Sequence, residues 1–100
     1  MNKTATWADV KLAAMRALLH RVTPNLRNVC LDLADQTVPI VFCYDGPIGE
    51  LENRLVNETV SQMIAELPGV QIKHEVVRID TPEWRPQELT SVYARCEMEL

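Results

Sequence analysis

The sequence predicts an α+β fold of two layers, in the order α-β-β-α-β-β, with a mainly antiparallel four-stranded sheet carrying both helices on one face. Two observations lead there. Apolar residues recur at three- and four-residue spacing in two segments and at two-residue spacing in the others. Short polar breaks separate the first strand-like runs, which favours joining them as a hairpin. One hundred residues suffice for one such domain, 1–100, and for no second one.

Thr6-Trp-Ala-Asp9 opens the first helix, with a hydroxyl to cap free amides and an acid three positions on. Trp7 is expected to cover the core there. Val10, Ala13, Ala14, Ala17, Leu18 and Val22 form the apolar stripe, and Lys11, Arg16, His20 and Arg21 fill the rest. Pro24 is expected to close the helix. From Leu26 the period drops to two, placing Val29, Leu31 and Leu33 on one side and Asn28, Cys30 and Asp32 on a wet one. Ala34-Asp-Gln-Thr37 is the break of a hairpin whose second strand carries Ile40, Phe42 and Tyr44 alternating with Val41 and Cys43. Pro39 lacks a ladder donor, which predicts an edge position or a late start to pairing.

Residues 48–67 return to helical spacing through Leu51, Leu55, Val56, Val60, Met63, Ile64 and Leu67, and Pro68-Gly69 ends the segment. In the next strand the apolar phase changes sides near Val76, which predicts a bulge. Residues 80–89 read as a loop holding Trp84, either as a lid on the core or as an exposed anchor. The last run places Val92, Ala94, Cys96 and Met98 inward and Tyr93, Arg95, Glu97 and Glu99 outward. Strand order is left open.

Chemistry is constrained mainly by what is missing. Three cysteines, Cys30, Cys43 and Cys96, form no Cys-x-x-Cys pair, and His20 and His74 stand far apart, so neither a metal nor a disulfide framework is expected. No cofactor motif and no catalytic set stand out, and the chain is read as not an enzyme. The start lacks a charged lead followed by an apolar run, and no segment approaches the ~20 apolar residues of a membrane span, so a cytoplasmic home is expected. In Asp45-Gly-Pro-Ile-Gly-Glu-Leu-Glu52, Pro47 removes an amide and three acids sit where a phosphate would bind. A strand-to-helix turn explains the stretch better, its acids favouring the positive end of the helix dipole.

Net charge is −4, unevenly distributed. The first thirty residues carry Lys3, Lys11, Arg16, Arg21 and Arg27 against Asp9, whereas residues 31–66 carry seven acids against Arg54. An acidic middle repels nucleic acid and suits a basic protein partner, if folding gathers the acids.

Val22-Thr-Pro-Asn-Leu-Arg27, Phe42-Cys-Tyr-Asp45 with its acidic helix, Ile64-Ala-Glu-Leu-Pro68 and Val92-Tyr-Ala-Arg-Cys-Glu97 together resemble short bacterial immunity proteins of toxin systems such as contact-dependent growth inhibition. The resemblance implies a non-catalytic cytoplasmic protein that binds and neutralises one toxin domain, often a nuclease. Such a basic domain would be met by Asp45, Glu50, Glu52, Tyr93 and Glu97, by opposite charge and aromatic contact. Two other readings stand beside it: a small-ligand-binding domain, and a homodimer paired through Val41, Cys43 and Val77 on the uncovered sheet face.

Overall fold

The computed structural model describes residues 4–83 and 89–97. In chain order it forms α1 (Trp7–Leu18), β1 (Leu26–Leu31), β2 (Thr37–Tyr44), α2 (Glu50–Glu66), β3 (Gln71–Arg78) and β4 (Thr90–Ala94). Trp84, Met98 and Glu99, singled out above, lie outside the described residues.

The four strands make one sheet in the order β3-β2-β1-β4. β1 pairs antiparallel with both β2 and β4, whereas β3 lies parallel to β2 over eight residue pairs. The sheet is therefore mixed, which corrects the mainly antiparallel expectation. The cause is α2: a 17-residue helix carries the chain back along the sheet, so the next strand starts at the same end as β2.

Both helices cover one face. Alternate residues Val29 and Leu31 of β1 and Val38, Ile40, Phe42 and Tyr44 of β2 pack against Val10, Ala13, Ala14 and Ala17 of α1 and Val56, Val60 and Met63 of α2. The alanines of α1 let it approach α2 closely, and burial of a side chain such as Phe42 stabilises by roughly 1.5–3 kcal/mol. At the start of α1 the Thr6 hydroxyl accepts from the Asp9 amide, and the Asp9 carboxylate accepts from the Thr6 amide.

Several local expectations are corrected. α1 stops at Leu18, well before Pro24, because His20 turns the chain with φ 64° and Arg21 caps the Ala17 carbonyl at 2.8 Å. Val22 is consequently outside the helix and exposed. Pro39 lies in an interior strand. Its carbonyl accepts from the Asp32 amide while the return bond is missing for want of a donor, so the ladder loses one bond there and resumes at Ala34 and Thr37.

No bulge interrupts β3, whose register with β2 is continuous; Val76 lies beside Phe42 and Val77 beside Cys43, giving apolar residues on both faces. The irregularities fall between Leu26 and Asn28 and, in the β4 pairing, between Val29 and Cys30. The second one falls at Val92, which packs against the core as expected, and brings Tyr93 opposite Val29 to pack there too, while Ala94 and Cys96 are exposed. β1 has no wet face either, since all six of its residues are buried.

Candidate functional site

The bulge at the start of β1 aims Arg27 across the sheet. Its guanidinium makes a two-pronged pair with the Glu97 carboxylate at 2.8 and 2.9 Å and donates to the Ile79 carbonyl, just past β3, at 2.7 Å. The residue is only 2% exposed and runs beside Cys43, which is fully buried. An arginine buried this deeply requires a paired carboxylate, and Glu97 supplies it.

From Glu97 the charges extend to the loop after β2. Arg95 bonds Glu97 at 3.0 Å and Asp45 at 3.1 Å, and holds the Pro24 carbonyl at 2.8 Å. Asp45 also accepts from the Thr81 hydroxyl and amide, while Asp80 accepts from the Gly46 amide at 2.7 Å. The loops after β2 and β3 thus clamp each other reciprocally. Arg78 pairs with Asp80 at 3.0 Å. Beside Arg95 the Asp45 carboxyl is held below the usual carboxylate range, and beside Arg78 so is that of Asp80.

Gly46, with φ 83°, makes the turn that leads to α2. Glu50 and Glu52 occupy the first turn of that helix, and Glu52 accepts from the Gly49 amide at 2.7 Å. Burial, with Glu52 nearby, pushes the Tyr44 phenol up to about 12. A shallow groove lined by Glu50, Asn53, Arg54, Asn57 and Glu58 continues along the outer side of α2.

Of the five residues nominated from sequence, Asp45 and Glu97 meet on one arginine, and Glu50 and Glu52 follow from the same loop at the same end of the sheet. Tyr93 does not join them, being packed against the core on β4. Nor does the acidic segment converge as a whole, because Asp32 and Asp35 lie at the β1–β2 turn, at the other end of β2. Arg27, Arg95 and Asp80 are participants that the sequence reading did not nominate. The available signal was Arg27 itself, a charge inside an apolar strand.

Among the described residues no group of histidine, cysteine and carboxylate side chains is placed to hold a metal ion. No helix there is long and apolar enough to cross a membrane. Cys43 is buried, so it offers no area for pairing through the sheet face opposite the helices.

A family model described as MafI2 immunity protein matches residues 8–97, all of the described elements but the first residue of α1. No curated protein matches the chain.

Proposed function

The chain belongs to the MafI2 immunity protein family, and from that premise we propose that it binds and neutralises one cognate toxin domain in the cytoplasm, as in contact-dependent growth inhibition, without chemistry of its own. The domain it fits is basic, as a nuclease is, and docks at the sheet end that carries Asp45, Glu50, Glu52 and Glu97.

The supporting observation is the charge balance at that end. Among the described residues Asp45, Glu50, Glu52, Asp80 and Glu97 stand at that end with Arg27, Arg78 and Arg95, and Glu50 is exposed at the mouth of the groove that it shares with Arg54 and Arg21. The arginines fix Asp45 and Glu97 in place, so the surplus negative charge comes from the start of α2. A fixed array of this kind costs little ordering on binding, and opposite charge raises the rate of encounter. Tyr93 contributes only the part of its ring that the core leaves uncovered.

The test is association kinetics with a cognate toxin domain. Glu50→Lys with Glu52→Gln, which retains an acceptor for the Gly49 amide, is expected to slow association about tenfold at low salt and to flatten its salt dependence. An association rate equal to that of the wild type at every ionic strength would discard this docking end.

A further inference from the structure

α1 carries a second apolar stripe that the core does not use. Ala8, Leu12 and Met15, with Leu19 just past the end of the helix, are exposed on the side opposite the buried Val10, Ala13, Ala14 and Ala17. Leu12 is 49%, Met15 52% and Leu19 63% exposed. Scattered apolar side chains at a surface are ordinary, but these are aligned, with spacings of four, three and four residues. That is the repeat by which two helices form a seam.

The charges beside the seam select its occupant. One flank holds Asp9 and Arg16, seven residues apart, and the other holds Lys11. Two copies laid parallel would set Lys11 against Arg16 of the second copy, a repulsion. Laid antiparallel about a two-fold axis, the first flank meets its own reverse, so Asp9 approaches Arg16 of the second copy and the contact is made twice. Arg16 touches Glu66 only at 3.7 Å and is 61% exposed, a loose pair that leaves the guanidinium able to turn outward. Asp9 retains its bond from the Thr6 amide in this arrangement. With Lys11 and Arg16 against Asp9 beside it, the stripe carries no acidic surplus for a basic partner, and Arg21 is turned to Glu58 and Gln62 of α2.

We propose that the outer face of α1 binds a second copy of this chain as an antiparallel helix pair. A seam of about three turns falls below the roughly 1,200 Å² of the more stable interfaces, so the dimer exchanges rapidly and depends on concentration. It leaves the acidic end at α2 free.

Sedimentation of the full chain from about 10 µM to about 1 mM reads this directly. The mass of the wild type is expected to rise toward that of two chains. Met15→Glu should remain one chain throughout while melting like the wild type, because the side chain is exposed. Arg16→Glu should weaken the dimer severalfold at low salt, with the gap narrowing as salt is added. A wild type that stays monomeric over the whole range would overturn the proposal. A Met15→Glu variant that dimerises normally would do the same, by placing the contact elsewhere, and tighter association of Arg16→Glu would overturn the antiparallel arrangement.

Discussion

At the turn between β1 and β2, Gln36 joins three segments with neutral groups. Its side chain exchanges two 3.1 Å hydrogen bonds with the Ala5 backbone, and its carbonyl accepts from the Gln71 amide where β3 begins. At the far end of β2 the same task falls to ions: Arg27, Arg95, Asp45, Asp80 and Glu97 tie the start of β1 to the segments after β2, β3 and β4. Both ends hold strand termini that would otherwise fray. They differ in what can loosen them, since amide pairs are indifferent to pH and salt, whereas charge pairs are not. The charged end can also present a field to a partner, which the neutral end cannot.

The largest effect that separates the two ends is expected at Arg27. Arg27→Ala takes the donor from the Ile79 carbonyl and leaves Glu97 to Arg95, and should cost about 2–3 kcal/mol in urea unfolding. Arg27→Lys should recover little of it, because a single ammonium cannot reproduce the fork. Gln36→Ala comes second, at about 1–2 kcal/mol for two lost hydrogen bonds. Its cost should be the same at neutral and acid pH and at low and high salt. If the two costs were equal and equally insensitive to salt, the contrast between the ends would fail.

The smallest effect lies in acid. Asp45 and Asp80 have depressed folded pKa values, so their contribution is complete above the unfolded value of about 3.9 and is lost as pH falls through the lower folded value. Asp45→Asn should therefore flatten the fall of stability with pH below about 4 while leaving the neutral end unchanged. A pH profile with the wild-type slope would remove Asp45 from the account.

The neutral end was the more legible of the two in the sequence. Ala34-Asp-Gln-Thr37 marks a turn by composition, and the structure closes it with two reciprocal 2.9 Å bonds between Ala34 and Thr37. The positive φ values of Asp35 and Gln36 suit the two central positions of a tight hairpin, where neither residue is the usual glycine. Thr6 with Asp9 and the α2 stripe were readable for the same reason: each signal is local. What escaped was long-range. That β3 runs parallel to β2 depends on where α2 returns the chain, and no two-residue pattern encodes that. The bulge that turns Tyr93 toward the core is a matter of register, which one residue reverses. At the site, Asp45 and Glu97 were found because acids stand out on a surface, while Arg27 was passed over because its partners lie fifty or more residues away.

Arg27 and Glu97 are separated by seventy positions. A fold that lacked the segment after β4 would have to sink that cation without its carboxylate, so the opening strand and the last described segment stand or fall together.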